Sequence, residues 1–215
     1  MLNEETKSST EPRSQAVDKV VDILEALAAS PEPLTLDQIA VACGSHRSVT
    51  YRLVRTLERR RLLDRTQAGY RLGELLLVLS NAVHSDLRDA SLQELSALAA
   101  RFGATAFITV DDNGRSVCLQ TVEPSKTLAH VAIRPGVWGP MDVGAPAIAI
   151  LSGRVEAPDD SADVVEARRN GFAQSSGREY DSRGLQWVAA PLAATPQARA
   201  SICMVFPVGT LDPYE

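Results

Sequence analysis

The residues whose chemistry stands out are eight arginines between positions 45 and 71, where only two acidic residues accompany them. Guanidinium groups bind phosphate, and they can also donate two parallel hydrogen bonds to the O6 and N7 atoms of guanine. The whole chain nevertheless carries a net charge of −5, and residues 73–215 hold 17 acidic against 11 basic residues. One part of the chain therefore attracts polyanions while the rest repels them, which predicts two domains with different partners.

Two predicted helices precede most of these arginines. The first begins at Ser14 as N-cap and ends at Pro31, because apolar residues recur between them at spacings of three and four. A capping box at Thr35 opens a short second helix, which stops at Gly44. The apolar positions are Val17, Val20, Val21, Leu24, Leu27 and Ala28 on the first helix, and Leu36, Ile39, Ala40 and Cys43 on the second.

A third helix carries the arginines themselves. Ser45 is expected to cap it and it runs to about Arg60. Val49, Leu53 and Leu57 recur every four residues and are predicted to pack on the first two helices. The opposite face presents Arg47, Ser48, Tyr51, Arg52 and Arg55. A short helix, a glycine turn and a basic helix are the parts of a helix-turn-helix, whose second helix enters the major groove.

Two strand-like runs, Leu62 to Asp64 and Tyr70 to Leu72, flank a turn that ends at Gly69 and predict a β-hairpin wing. Arg65 and Arg71 of this wing are expected near DNA phosphates, whereas Arg47 and Arg52 are candidates for guanine contacts. Any one of these arginines could instead contact phosphate alone or nothing. The full set of predicted DNA-binding residues is Ser45, His46, Arg47, Ser48, Tyr51, Arg52, Arg55, Arg65 and Arg71.

The rest of the chain predicts an α+β domain behind a linker helix. Residues 73–85 are leucine-rich on more than one side, so this linker helix is expected to be buried against another surface. A further helix over 86–102 carries an apolar stripe of Leu87, Leu92, Leu95, Leu98, Ala99 and Phe102. Strands are predicted over 104–110 and 116–122, joined by the hairpin pair Asn113-Gly114, and over 128–133, 185–191 and 200–206. Strands, then helices, then strands suit an antiparallel sheet.

The string PLTLDQIAVACGSHRSVTYRLVRTLERRRLLDR, followed by GYRLG, resembles the DNA-binding domain of the IclR family of bacterial regulators. Further along, FGATAFITVDDNGRSVCLQTVEP, RPGVWGPMDVGAPAIAIL, EARRNGF and GLQWVAAPL are similar, in order, to landmarks of that family's effector-binding domain. Within the DNA-binding part, Arg61 stands where a glycine is usual before the wing.

The resemblance implies a two-domain fold and three partners. The expected domains are a disordered tail over 1–13, an all-α winged helix-turn-helix with a small β-wing over 14–72, a linker helix over 73–85, and a shortened α+β GAF-like sensor domain with an antiparallel sheet over 86–215. The implied partners are a double-stranded DNA operator, a small-molecule effector that often bears a carboxylate, and a second copy of the chain in a homodimer or tetramer.

The resemblance also implies an effector site in the sensor domain. Its residues are Ala145, Pro146, Glu179, Trp187, Ala189, Cys203 and Val205. A helix N-terminus near Ala145 would offer backbone N–H groups to an effector carboxylate, unless they are capped within the chain. Asp142 replaces a common histidine, and Ala147-Ile148 replaces a frequent Gly-Lys pair. With Trp187 and Val205, these departures favour a bulky effector such as an aromatic or lipid-like acid.

Other classes of protein are disfavoured. The polar start of the chain has no apolar core of a signal peptide, and no run is long enough to span a membrane, so a soluble cytoplasmic protein is expected. Cys43, Cys118 and Cys203 lack the spacing of a disulfide framework or zinc site, and no metal, cofactor or catalytic residue is predicted. An enzyme using Cys118 with His130 or His84 is disfavoured because Cys118 lies in mid-strand. The alternative kept open is a protein-interaction module whose arginine face binds an acidic partner and whose sensor domain no longer binds a ligand.

Overall fold

The structure is a computed structural model that describes residues 14–125, 127, 130–176, 184–192 and 199–211. The chain divides into two compact units, Met1–Val83 and His84–Glu215. The N-terminal unit contains α1 (Gln15–Ala29), α2 (Leu36–Ala42), α3 (Arg47–Arg59), β1 (Leu63–Arg65), β2 (Tyr70–Leu72) and α4 (Leu75–Ala82). The C-terminal unit contains α5 (Ser85–Phe102), β3 (Thr105–Asp112), β4 (Arg115–Val122), β5 (Trp138–Pro140), α6 (Ala145–Ser152), α7 (Ala162–Asn170), β6 (Ala173–Ser175), β7 (Leu185–Pro191) and β8 (Ala200–Pro207). The predicted fold class, a helix-turn-helix followed by an α+β domain with an antiparallel sheet, is confirmed.

The core of the N-terminal unit is formed by all three first helices and the wing. Its buried members are Ile23, Leu27, Ile39, Val54, Leu57, Leu63 and Tyr70. On α1 the predicted stripe was wrong in detail, because Val17 and Val21 are 59% and 45% exposed while Ile23 is 1% exposed. The buried stripe runs instead through Val20, Ile23, Leu24 and Leu27, the i, i+3, i+4, i+7 spacing of one helix face. Ser14 is the N-cap residue of α1, although its side chain makes no capping hydrogen bond.

The wing is attached to the helical core by the chain just before α2. β1 and β2 pair antiparallel, with Leu63 opposite Leu72. The backbones of Leu34 and Tyr70 exchange two hydrogen bonds of 2.9 and 2.8 Å. Gly69, at φ +150°, lies so close that an added Cβ would be 2.4 Å from the Leu34 carbonyl oxygen. Only glycine permits this approach, which fixes the wing beside α2.

The linker helix is shorter than predicted. α4 covers Leu75–Ala82 and contains no buried residue. The chain leaves the helix at Val83, and His84 then adopts a left-handed conformation with φ +49°. Helix α5 begins at Ser85, so the leucine-rich run forms two turns of helix and not the full stretch of 73–85.

The C-terminal unit is a six-stranded antiparallel sheet in the order β5-β4-β3-β8-β7-β6. Alternate residues of β3 divide its two faces. Ala106, Ile108 and Val110 pack with Leu95 and Ala99 of α5 on one face. The other face is covered by α6 and α7 and carries the second apolar core, which includes Phe107, Ile148, Val164, Trp187 and Val205.

The strand predicted over 128–133 was wrong for the residues that the structure describes there. Residues 130–133 form no strand, and Val131 is held by its carbonyl, which accepts a hydrogen bond from the Thr105 hydroxyl. The chain joins the sheet only after the turn at Gly136, where Cys118 and Val137 pair through a 2.8 Å hydrogen bond. This produces β5 at the sheet edge. At the opposite edge β6 is a three-residue strand that the sequence did not indicate.

Candidate nucleic-acid interface and effector site

The recognition helix α3 starts one residue later than predicted. Its N-cap is His46, in an extended conformation and without a side-chain capping hydrogen bond. Ser45 was therefore wrongly assigned as the cap: its hydroxyl lies 3.3 Å from Lys19 Nζ and accepts a hydrogen bond from it. Because a serine next to a helix start can bond to a neighbouring helix as well as to its own, sequence alone could not separate the two roles.

The inward face of α3 is turned slightly from the predicted one. Thr50 and Val54 are 0% exposed and Leu57 is 4% exposed, whereas Val49 and Leu53 are only half-buried. Thr50 can be buried because its hydroxyl donates to the carbonyl of His46, 3.2 Å away. A threonine that satisfies its own hydroxyl within the helix behaves as a small apolar residue.

The outward face of α3 carries the predicted DNA contacts. Arg47, Ser48, Arg52 and Arg55 are exposed, and Tyr51 is 50% exposed. Of the remaining members of the predicted set, His46, Arg65 and Arg71 are exposed and Ser45 is half-buried. The unit thus presents polar and cationic side chains along one helix and one wing, while Val54 and Leu57 of the same helix are buried.

Acidic neighbours separate these arginines into two kinds. Arg47 Nε lies 2.5 Å from Asp37 Oδ1, and Arg55 Nη1 lies 2.8 Å from Glu58 Oε2. Arg71 pairs with Asp64 across the wing at 3.5 Å. Among the described residues, no ion pair involves Arg52 or Arg65. Exposed cations of this second kind are available to neutralise phosphates.

The predicted effector residues lie inside the C-terminal unit. Trp187 is 7% exposed, and its ring meets that of Phe107 edge to face, with centroids 5.8 Å apart. Ala145, Ala189, Cys203 and Val205 share this core cluster, and Pro146 is buried beside it. Glu179 lies outside the described residues. The structure therefore brings six of the seven predicted residues together, packed in and around one apolar core.

The N-terminus of α6 is partly capped within the chain. The backbone N–H of Ala145 donates to Ser175 Oγ at 3.2 Å, and that of Ile148 donates to the Gly144 carbonyl. Pro146 has no N–H. One first-turn donor is therefore capped and another is missing, so an anion would find fewer partners here than the sequence predicts.

Two cavities adjoin the sheet of this unit. One, of about 630 Å³, lies beside α6 and α7. It is lined by Ile148, Ala167 and Ala173, which also belong to the core cluster. Asp163 and Glu166 line it as well. The other, of about 550 Å³, lies on the α5 face over Ile108, Val110 and Ile202. None of the six predicted effector residues that the structure describes lines either cavity.

The cysteines of this unit have the environment of structural residues. Burial raises the pKa of the Cys203 thiol to about 12, and burial also raises the pKa of Cys118. Cys118 Sγ lies 3.3 Å from the Thr121 hydroxyl, and His130 instead pairs with Glu123 at 2.8 Å. A nucleophilic thiol requires a lowered pKa, so this arrangement does not support the enzyme alternative.

Within the described ranges, no three His, Cys, Asp or Glu side chains form a group that could hold a metal ion. No helix in that part of the chain has the length and hydropathy needed to cross a bilayer.

Comparisons with known proteins agree with this geometry. Residues 16–67 match the family model of the IclR helix-turn-helix domain. An IclR transcriptional regulator from Alicyclobacillus acidocaldarius superimposes with a TM-score of 0.77 at 21% identity, covering 94% of this chain and 92% of that one. An IclR homologue from Microbacterium hydrocarbonoxydans, solved with 4-hydroxybenzoate, gives a TM-score of 0.77 at 17% identity and covers 92% and 91%. IclR from Thermotoga maritima gives 0.71 at 17% identity and covers 92% and 90%. No curated protein sequence matches the chain.

The basic recognition helix, the wing and the matched domain define a DNA-binding transcriptional regulator. Its residues 16–67 are similar to the IclR helix-turn-helix domain, and the chain shares its fold with solved IclR regulators over 92–94% of its length. At 17–21% identity the likeness to those structures concerns the fold.

Proposed function

We propose that this regulator binds a two-fold symmetric DNA operator as a dimer or tetramer, and that a small molecule bound by the C-terminal unit modulates this binding. The observation that carries the first part is the segregation of α3 into a buried stripe of Thr50, Val54 and Leu57 and an exposed arginine face. A helix of this kind can lie in the major groove without exposing its core.

The proposed division of labour follows position on the helix and wing. Arg47 and Arg52 lie in the N-terminal half of α3 and read base edges. Arg65 and Arg71 extend from the wing toward phosphates, and Ser48, Tyr51 and Arg55 supply further contacts along the groove. Phosphate contacts set affinity and its salt dependence, whereas base contacts set the operator sequence.

Exposed apolar side chains in the N-terminal unit support self-association. Val17 and Val21 of α1 are 59% and 45% exposed, and Leu77, Val78 and Leu79 of α4 are 67%, 64% and 51% exposed. The three consecutive apolar residues of α4 are exposed together, and exposed apolar surface of this kind supports an interface. A second copy that buries them would place two recognition helices on one duplex, with half-sites about one helical turn apart.

The effector proposal rests on the sensor fold and on the predicted residues Ala145, Pro146, Glu179, Trp187, Ala189, Cys203 and Val205. One solved neighbour contains 4-hydroxybenzoate. For this chain we propose an apolar or aromatic carboxylate. Because Trp187 and Phe107 are in contact in the structure, such a ligand must part them or use the adjoining cavity of about 630 Å³.

A regulator of this type acts where the chromosome lies, which for bacterial relatives is the cytoplasm.

Enrichment from a pool of randomised duplexes tests the proposal, with the affinity of the retained sequences measured at several salt concentrations. We expect an inverted repeat whose affinity falls steeply as salt rises. Adding aromatic and short-chain acids to the selected complex, with calorimetry on the protein, then tests the effector. Binding of short acids alone would refute the effector class. A protein that retains no duplex would instead favour an interaction module whose arginine face binds an acidic protein.

A further inference from the structure

The pair formed by Arg47 and Asp37 differs from the other ion pairs of the interface. Arg47 is the first residue of α3, and Asp37 lies in the first turn of α2. Ten residues separate them, and the contact joins Arg47 Nε to Asp37 Oδ1. Arg55 and Glu58 are instead neighbours on α3 at i and i+3. Arg47 is thus paired with a residue of a second helix, whereas Arg55 is paired with a residue of its own helix.

The atoms involved decide what Arg47 can still do. A guanidinium has five N–H donors, one on Nε and two on each Nη, in a single plane. The hydrogen bond to Asp37 uses Nε and leaves both Nη groups. Two coplanar Nη donors match the O6 and N7 acceptors of guanine in the major groove. The carboxylate therefore orients the guanidinium and leaves both Nη groups available to a base.

The position of Asp37 supports a lasting contact. The Thr35 hydroxyl accepts from the Gln38 N–H, and the Gln38 side chain accepts from the Thr35 N–H, which fixes the turn on which Asp37 lies. Both side chains of the ion pair are about 70% exposed, at 69% for Arg47 and 70% for Asp37. An exposed ion pair contributes little to stability. The effect of this pair that matters here is therefore the orientation that it gives to the Arg47 guanidinium.

We propose that Asp37 is a positioning residue for base readout: it holds Arg47 so that its two Nη groups read one guanine of each half-site. The inference rests on the proposed operator binding and adds a role for a carboxylate that itself repels DNA. A negative charge close to phosphates lowers general affinity, but an oriented arginine loses less side-chain freedom on binding the correct base. Asp37 therefore lowers the general affinity for DNA and raises the selectivity for the correct base.

The test measures affinity for every single-base-pair change of the selected operator. Arg47→Ala identifies the guanine position, where discrimination should fall about tenfold. In Asp37→Ala we expect discrimination at that same position to fall about threefold to tenfold, while affinity for random duplex stays equal or rises. Asp37→Asn retains an acceptor oxygen for Nε and should keep more of the discrimination than Asp37→Ala.

Two controls separate positioning from a general effect. Glu58→Ala removes a carboxylate of the same charge from the Arg55 pair and should not alter discrimination at the Arg47 position. In the double variant with Arg47→Ala, Asp37→Ala should change nothing further, since its partner is gone. Thermal unfolding confirms that each variant folds. Arg47→Lys lacks the planar guanidinium and should show the same loss of discrimination, which provides a second measurement if Asp37→Ala is unstable.

The outcomes are distinguishable. Unchanged discrimination in Asp37→Ala, an equal loss at all positions, or an undiminished effect of Asp37→Ala in the Arg47→Ala background would each overturn the inference while leaving operator binding intact. A wild-type protein that prefers no sequence would overturn the operator proposal, and the assignment of Asp37 with it.

Discussion

The two units of this protein differ in whether their candidate functional residues are exposed or buried. In the N-terminal unit the predicted DNA contacts are exposed and the core is made by other residues, such as Val54 and Leu57. In the C-terminal unit five of the predicted effector residues, including Trp187 and Val205, belong to the core cluster. This contrast predicts that function and stability can be altered separately in the first unit, whereas in the second they depend on the same side chains.

The largest expected effect tests the second half of this comparison. Trp187→Ala removes a buried ring that contacts Phe107, and we expect the C-terminal unit to lose about 3–5 kcal/mol of unfolding free energy. Trp138→Ala is the matched control in the same unit, since Trp138 is 56% exposed and the Arg115 guanidinium lies over its ring. Its cost should stay below about 1 kcal/mol. Urea unfolding followed by far-ultraviolet circular dichroism measures both.

If the two tryptophan variants were equally stable, Trp187 would not be a core residue, and the cluster around it would be loose enough to admit a ligand without rearrangement. That result would break the comparison. A large loss for Trp187→Ala alone means that an effector bound at this position must compete with packing that stabilises the unit.

The first half of the comparison predicts a change in binding without a change in stability. Arg52 is exposed, and none of the described ion pairs involves it. Arg52→Ala should weaken binding to the selected operator by about 1–3 kcal/mol and relax the preference at one base position. The unfolding midpoint should not move. Arg169→Ala, at an exposed arginine near the end of α7, is the control for loss of one positive charge.

A titration of the Arg52 variant on the operator and on its single-base variants gives the answer. Equal weakening on every sequence would make Arg52 a phosphate contact, and unchanged binding would remove it from the interface. A shifted unfolding midpoint would show that exposure in this unit does not separate function from folding.

The sequence predicted best the features that depend on neighbouring residues. The capping box at Thr35 is present with both of its hydrogen bonds, and Asn113-Gly114 joins β3 to β4 as the hairpin pair predicts. Both motifs are complete within four residues, so they depend little on distant contacts. The exposed arginine face belongs with them, since charged residues seldom face a core.

The features that failed depend on distant partners. Ser45 bonds to Lys19 of α1 and not to its own helix. The segment at 130–133 has strand-like residues, but its Val131 carbonyl pairs with a side chain and the sheet continues only at Trp138. The effector residues are known only as a set by resemblance, because whether Trp187 lines a space or fills it depends on packing.

The smallest expected effect concerns the junction between α3 and the wing, where the two roles of the N-terminal unit meet. Arg61 has φ +60°, and the Leu62 N–H bonds to the Leu57 carbonyl at 2.9 Å, which is a Schellman end for α3. A side chain in this conformation is strained, whereas glycine is not. After allowing for the greater freedom of glycine in the unfolded chain, Arg61→Gly should stabilise the unit by about 0.5–1 kcal/mol.

Arg60→Gly provides the matched control, because Arg60 precedes it with φ −86° and the same charge is removed. Glycine relieves no strain there and should destabilise α3 by a similar amount. Hydrogen exchange of the α3 amides measures the local opening free energy of each variant. If both variants were destabilised, the left-handed turn would not be strained by arginine. If Arg61→Gly instead stabilised α3 but weakened operator binding, Arg61 would be a DNA contact kept at the expense of stability, and function and folding would share a residue in this unit too.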